Sequence, residues 1–420
     1  MKVLVVGSGA REHAIVWRVV QNESVEEVYC APGNGGTALM AHNVDVSATD
    51  ADGLLSLATE RGIDLVIIGP ETPLIAGVAD QLRSAGFVVF GPSAEAARLE
   101  GSKAWAKELM QKYGIPCARS VTFDSPAEAK EYIRGQSMPI VVKADGEAAG
   151  KGVTVAMTHE EAISAVTAAM EERVFGKAGD VVVVEECLSG PEVSALAFTD
   201  GKTVVPMVPS CDYKRVYDGD EGPNTGGMGA YSPPGFVDAA MQERILRTIL
   251  EPTVAALAAE GIVYQGVLYA GLMMTAEGPK VLEYNVRFGD PETQAVLPRL
   301  KTDLVDIALA VAHGRLAEIA VEWDERATCG VVLASGGYPG PYSKGLPITG
   351  LERLDDGIRA FHAGTAVANG GFVTAGGRVL TLVAMGRDMA EARQKVYANA
   401  ERVSFPGRHY RRDIAAREVR

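Results

Sequence analysis

In the segment KVLEYNVRFGDPE, Glu283, Asn285 and Arg287 recur two residues apart. On an extended strand that spacing puts all three side chains on one face. Two oxygen donors beside a guanidinium suit a divalent cation bridging phosphates, with the arginine steadying the negative charge that develops there. The alternating residues Leu282, Tyr284 and Val286 predict a half-buried strand, so a plain solvent-facing polar strip is the weaker reading.

A second candidate lies in IVVKADGEAAGKGVTVAMT. Its glycines and lysines suggest a phosphate cradle, but the spacing from Gly146 to Gly150 is one residue short of a Walker A loop, and Lys151 is followed by Gly152. β-branched runs flank the glycines on both sides, which predicts a loop joining two strands. Loop amides closing over phosphates, with Lys143 behind them and Lys151 among them, make a nucleotide clamp. Taken alone, a solvated hairpin with surface lysines fits as well. The stretch VVVVEECLSGPEVS tilts the balance. A strand ending in Glu185 and Glu186, then Leu188 and Glu192, suits an interdomain hinge whose backbone meets an adenine edge and whose Glu192 meets ribose hydroxyls. An edge strand with solvated acids is the alternative.

In VVGSGAREHA, Gly7 and Gly9 follow a strand and precede a helix, but Glu12 stands where a dinucleotide fingerprint has its third glycine. Cys30 closes the second strand, where that fingerprint expects an acid. The turn therefore predicts an anion, such as a phosphate, at the unpaired amides of the helix start. A nicotinamide cofactor is the weaker reading.

These residues need elements to position them. The first hundred residues alternate strand and helix: KVLVVG, AREHAIVWRVVQN, VEEVYCAPG, DADGLLSLATERG, IDLVIIGPE, GVADQLRSAG, FVVFGPS. Such alternation predicts a parallel sheet that binds ligands beyond the carboxyl ends of its strands. A helix is expected from about Ser102 to Tyr113. Two capping boxes follow, Ser125 with Glu128 and Thr158 with Glu161, and predict two helices on a small sheet that could move as a body. An antiparallel hairpin around Asp200-Gly201 comes next, then a long loop, CDYKRVYDGDEGPNTGGMGAYSPPG, that is functional or disordered. A helix from about Asp238 to Glu260, the strands GVLYAGLMMT and PKVLEYNVRFG, and a terminal region of short strands closed by DMAEARQKVYANAERV complete the chain.

A chain of 420 residues is expected to hold about two to four domains. Hydrophobic residues make up 47% and charged residues 22%, as in ordinary soluble proteins, and a net charge of −14 argues against a broad nucleic-acid footprint. The five cysteines show no C-x-x-C pair and fit reduced thiols in a cytoplasm, while the six histidines form no paired metal pattern. The first apolar run is too short for a signal peptide, and no stretch approaches membrane-spanning length.

Taken together, GAREHA, APGN, GPETPL, GPSAEAARLEGSK, KADGEAAGKGV, GPNTGGMGAYSP, EYNVRFGDPETQ and SGGYPGPY show that the chain resembles the ATP-grasp enzymes, and among them the phosphoribosylamine–glycine ligase (glycinamide ribonucleotide synthetase) family. The resemblance runs along nearly the whole chain. It implies a multidomain α/β fold: a Rossmann-like parallel-sheet domain over residues 1–101, an ATP-grasp domain over 102–325 with a mobile α+β lid at about 123–187, and a β-rich domain over 326–420. It implies ligation of glycine to 5-phosphoribosylamine through glycyl phosphate, using ATP and Mg²⁺ or Mn²⁺, by a cytoplasmic monomer with no nucleic-acid or membrane partner. No protein nucleophile is required, so catalysis would be positioning plus charge neutralisation.

Carried onto this chain, the resemblance assigns Lys103 and Lys143 to the ATP phosphates, with Gly146, Gly150, Lys151 and Gly152 in the covering loop. Glu185, Glu186 and Leu188 would contact adenine, Glu192 the ribose, and Glu283 and Asn285 the metal. Arg287, Asp212 and Lys214 would serve catalysis. Gly9, Arg11, Asn34, Glu71, Gly226, Gly227 and Asp290 would bind substrate. Three departures stand out. Ala10 replaces a usual glycine, and Glu147 replaces a usual leucine and is expected to point to solvent. The strand GVLYAGLMMT carries no acidic metal ligand. The alternatives are a carboxylating ATP-grasp synthetase, a nucleotide-binding module without catalysis, and a dehydrogenase on the first sheet.

Overall fold

The run KVLVVG becomes β1 (Lys2–Gly7), whose Val3, Leu4, Val5 and Val6 are all fully buried. The computed structural model describes residues 1–146 and 152–419. After β1 come α1 (Ala10–Val19), β2 (Glu27–Pro32), β3 (His42–Asn43), α2 (Ala51–Arg61) and β4 (Leu65–Ile68). Next are α3 (Glu71–Ile75), α4 (Val78–Ser84), β5 (Val88–Phe90) and α5 (Ala94–Gly101). The five strands form a parallel sheet in the order β3-β2-β1-β4-β5. Leu4 and Val6 face one core and Val3 and Val5 another, so both faces of β1 are covered. The strand order reverses at β1, which places the turns after β1 and β4 at the rim of a crevice.

The next region starts with α6 (Lys103–Tyr113), β6 (Ser120–Phe123), α7 (Pro126–Arg134), β7 (Ile140–Ala144) and β8 (Val153–Ala156). It continues through α8 (His159–Val166) to β9 (Val182–Glu186). Strands β6-β9-β7-β8 make an antiparallel sheet with its own core, built only from residues between Phe123 and Val184. Ser125 and Thr158 cap α7 and α8 as their spacing predicted, accepting from Glu128 N and Glu161 N. The loop tip carrying Glu147, Gly150 and Lys151 lies outside the described residues.

Then follow β10 (Glu192–Thr199), β11 (Val204–Pro206), β12 (Cys211–Asp212), β13 (Arg215–Tyr217), β14 (Glu221–Asn224) and β15 (Gly229–Ser232). Helices α9 (Ala239–Ile245) and α10 (Glu251–Ala259) are joined by a π turn. They lead into β16 (Gly266–Thr275), β17 (Gly278–Asn285), α11 (Glu292–Val296) and α12 (Leu304–Ala312). A second antiparallel sheet has the order β11-β10-β16-β17.

The long glycine-rich stretch is not a structureless loop. Its β13 and β14 pair as a hairpin, and β12 and β15 join the terminal sheet, in the order β12-β15, then β18 (Ala327–Ala334), with the last two strands of that sheet beyond. The physical reason is backbone satisfaction: buried amides of a segment this long need partners, and the edge of β18 supplies them. The remaining elements are β19 (Pro347–Ile348), β20 (Arg359–His362), β21 (Thr365–Ala368), β22 (Gly371–Thr374), β23 (Arg378–Gly386) and α13 (Met389–Ala400). Strands β23 and β20 complete the terminal sheet, and α13 packs its Ala392 and Val396 into the core. Among the described residues, no helix is long and apolar enough to cross a membrane.

Candidate active site

A cleft of about 970 Å³ opens where the parallel sheet, the small α+β unit, β17 and the terminal sheet meet. The stem of the glycine hairpin, Gly146 and Gly152, lines it together with Glu283, Asn285 and Arg287. The two clusters singled out in the sequence therefore share one cavity.

Lys143, on β7, is buried. Its Nζ lies 3.1 Å from Glu185 Oε2 and donates to the Leu282 carbonyl at 2.9 Å. That carbonyl is available because of a bulge. Leu272 pairs with Val281 and Gly271 with Glu283, so Leu282 is the extra residue and its carbonyl turns away from the ladder. The bulge also corrects the simple alternation: Leu282 is half-buried and lines the cleft rather than joining Tyr284 and Val286 in the core. Lys103, in the first turn of α6, donates to the Gly146 carbonyl at 2.8 Å. Asp145 accepts from Ser102 Oγ at 3.1 Å and Ala104 N at 3.0 Å, which ties the hairpin base to the start of that helix.

The end of β9 forms another wall. Glu185 sits between two lysines, with Lys107 Nζ 3.2 Å from Oε1. Burial opposes the charge on Glu186, but hydrogen bonds from Arg119 N and Nε hold its carboxyl below the usual range. Glu186, Leu188 and Glu192 line the cleft, and Glu192 pairs with Lys214 Nζ at 3.0 Å. The same ammonium is 3.7 Å from Glu283 Oε1.

Burial also opposes ionisation of Glu283, yet the nearby charges of Lys214, Lys143, Lys103 and Arg287 hold its carboxyl low. Asp212, at the end of β12, is pushed up to about 7 by burial and by the charges of Glu292, Glu192 and Glu283, against the pull of Lys214. One cleft thus holds a carboxylate kept ionised and a carboxyl poised near neutrality.

Arg287 departs from the expected row. Its Nε donates to Glu71 Oε2 at 2.9 Å and its Nη2 to Glu100 Oε1 at 2.8 Å, so it crosses to the parallel-sheet domain while still lining the cleft. Arg11 and Glu71 reach the same corner from the turns after β1 and β4, with Arg11 Nη1 3.9 Å from Glu71. Asp290 accepts from Arg11 N at 3.3 Å and from Gln294 Nε2 at 2.7 Å, and pairs with Arg378 at 3.3 Å.

Gly9 N donates to Glu12 Oε2 at 2.5 Å and Arg11 N to Asp290. These first-turn amides of α1 thus meet carboxylates of the chain itself, where the sequence suggested an open anion site. Asn34 is buried and does not line the cleft. Its amide donates to the carbonyls of Ser8, Gly9 and His362, and its oxygen accepts from Gly36 N and Thr37 N. It stitches the first sheet to β20. Gly226 lines the cleft and its carbonyl accepts from Arg378 at 2.6 Å. Gly227 has φ +111°, and a Cβ there would meet Pro291 Cδ at 2.4 Å, so glycine is required by the backbone.

Among the cleft residues that the sequence reading did not single out are Glu100, Lys107, Glu292 and Arg378. Lys107 follows Lys103 by four positions, a helical spacing that could have pointed to it. Glu292 lies within the GDPETQ motif, where it accepts from Tyr269 Oη at 2.5 Å and Ser194 Oγ at 3.1 Å. Glu100 lies within GPSAEAARLEGSK, but its pairing with Arg287, like that of Arg378 with Asp290, joins elements far apart in sequence.

Among the described residues, no three His, Cys, Asp or Glu side chains gather into a metal-ligating group. The Glu283 carboxylate, held low, and the Asn285 amide, both facing the cleft, nonetheless fit a hard divalent cation, which prefers oxygen ligands.

Three family models match the chain: the phosphoribosylglycinamide synthetase N domain over residues 1–100, its ATP-grasp (A) domain over 101–293 and its C domain over 328–417. The phosphoribosylamine–glycine ligase of Halalkalibacterium halodurans is 51% identical over 420 residues, covering 100% of this chain and 97% of that protein. The enzyme of the same name from Caldanaerobacter subterraneus is 49% identical over 416 residues, covering 99% of this chain and 100% of that one. The crystal structure of phosphoribosylamine–glycine ligase from Thermotoga maritima superposes with a TM-score of 0.86 at 38% identity, covering 99% and 100% of the two chains. A biotin carboxylase domain from Hydrogenobacter thermophilus, solved with MgADP and bicarbonate, reaches a TM-score of 0.75 at 17% identity over 97% of this chain and 91% of that one. The last likeness is one of fold alone.

Proposed function

The chain belongs to the phosphoribosylglycinamide synthetase family, and we propose that the cleft described above carries the reaction for which its relatives are named. The protein is a ligase that forms a C–N bond, joining glycine to 5-phospho-D-ribosylamine at the expense of ATP in de novo purine biosynthesis. The glycine carboxylate attacks the γ-phosphoryl group, giving glycyl phosphate and ADP. The amine of phosphoribosylamine then adds to the acyl carbon, and phosphate leaves with the C–O bond, giving glycinamide ribonucleotide.

In this reading Lys143 and Lys103 hold the ATP phosphates, under the loop whose stem is Gly146 and Gly152. Glu185, Glu186 and Leu188 form the adenine wall, and Glu192 meets the ribose. Glu283 and Asn285 would hold Mg²⁺ or Mn²⁺, which would supply charge neutralisation there. Arg287 is fixed by Glu71 and Glu100 and steadies the acyl phosphate from the parallel-sheet side. Arg11, Glu71, Asp290 and the backbone at Gly226 supply the substrate end. Asp212, poised near neutrality, takes the proton that the attacking amine must lose, and Lys214 orients it.

The observation that carries this reading is the meeting of Lys143 with the β17 bulge: an ammonium from the clamp stands 2.9 Å from the backbone beside Glu283. Phosphate release tests it. Release should require glycine and phosphoribosylamine together with ATP. Turnover supported by bicarbonate in place of glycine would overturn it, and ATP binding without glycine-dependent release would leave only a binding module.

A further inference from the structure

Helix α6 sends two lysines toward the cleft. Lys103 reaches the Gly146 carbonyl, whereas Lys107 stands beside Glu185. The Lys107 side chain is 4% exposed, and its Nζ is 3.2 Å from Glu185 Oε1. Both atoms are buried, and neither has a hydrogen-bond partner among the described residues, so the pair attracts across a short distance without being aligned. Burial, the largest influence, and Lys143 lower the ammonium's pKa, while Glu185 holds it up. A buried ammonium and a buried carboxylate oxygen thus face each other in the cleft wall as an ion pair without an aligned hydrogen bond. Such groups are costly to bury unless something arrives to complete them.

We propose that Lys107 is a specificity-determining residue: paired with Glu185 in the cleft wall, it holds that carboxylate in place as a hydrogen-bond acceptor, so that the pocket takes a 6-aminopurine nucleotide and rejects a 6-oxopurine. This rests on the reading of Glu185 as part of the base-contacting wall. A carboxylate accepts hydrogen bonds and donates none. The amino group of adenine donates to it, whereas the carbonyl oxygen of hypoxanthine would set acceptor against acceptor and leave both unpaired. Lys143 also lies beside Glu185, but it donates to the Leu282 carbonyl as well and, in the proposed reading, serves the phosphates. Among the described residues, Lys107 is then the cation that remains beside Glu185.

The test compares ATP with inosine triphosphate by steady-state kinetics on the full chain, with thermal melts to confirm folding. Lys107→Met should lower the ATP-to-ITP ratio of kcat/KM by about tenfold or more, chiefly through KM, and Lys107→Arg should restore most of it. Lys107→Gln reads the same ratio should the methionine variant fail to fold. Glu185→Gln, whose amide can both donate and accept, should also lower the ratio. If Glu185→Gln shifts the ratio and the Lys107 variants leave it unchanged, the proposal falls while the base wall stands. If Glu185→Gln leaves it unchanged too, the wall assignment falls with it.

Discussion

Among the described residues, Lys143 has no carboxylate to itself: it shares Glu185 with Lys107 and takes a backbone carbonyl from β17. In the proposed reading Lys143 would exchange these partners for phosphate, and Glu283, whose carboxyl four neighbouring cations hold low, would take the metal. Lys143→Ala and Glu283→Ala should each cost about 2–4 kcal/mol of transition-state stabilisation, read as kcat/KM, with the fold intact by circular dichroism. Near wild-type rates in both would contradict the assignment. Asp212 gives a pH signature. Its carboxyl is raised to about 7, so the base form grows as pH rises through that value. The rate should climb over the same range, and Asp212→Asn should remove that limb of the profile along with most of the activity.

Among the elements, α1 shows how a turn that invites an anion can be closed by the chain itself. Its N-cap is Gly9, which has no side chain to offer, and Glu12 reaches back to supply the missing half of a capping box. Around that carboxylate the chain leaves room only for hydrogen: a Cβ on Gly69 would lie 2.0 Å from Glu12 Oε1. Gly69→Ala should therefore displace Glu12 and destabilise by about 1–3 kcal/mol in urea unfolding. Glu12→Ala should cost about 1 kcal/mol through the lost cap. The two effects should be less than additive when combined, because both act through one carboxylate.

Across the molecule, the first and last domains meet through two buried histidines. His13 Nδ1 accepts from His362 N at 2.8 Å, and the rings lie 5.5 Å apart. Burial, with the charge of His362 adding, lowers His13 to about 3, and burial lowers His362 to about 4, from an ordinary 6.5. The unfolded chain thus binds protons that the folded chain refuses. The stability these groups contribute is complete above pH 6.5 and is lost as pH falls toward about 4 and then 3. His13→Gln keeps an acceptor but cannot titrate, so its melting temperature should fall less steeply between pH 7 and pH 4 than that of the wild type. At the far end, the fully buried Arg411 pairs with Asp413 and Asp220, fastening the chain terminus to the β13–β14 hairpin.

The alternation of β-branched runs with capped amphipathic segments was enough to place the parallel sheet, the α+β unit and the β16–β17 hairpin. The elements that build them are set by residues near in sequence, such as Ser125 with Glu128 and Thr158 with Glu161 at the helix caps. The same local logic picked out Lys143, Glu283 and Asn285, because strand periodicity assigns a face without knowing what lies opposite. It could not find Glu100, Arg378 or the joining of β12 and β15 to the terminal sheet, since each exists only when segments more than 85 residues apart meet. Nor could it show that Asn34 turns inward and that Arg287 crosses to Glu71 and Glu100. Side-chain type and spacing decide which groups can reach one face, whereas the charges and carbonyls brought opposite that face decide which partner each group takes.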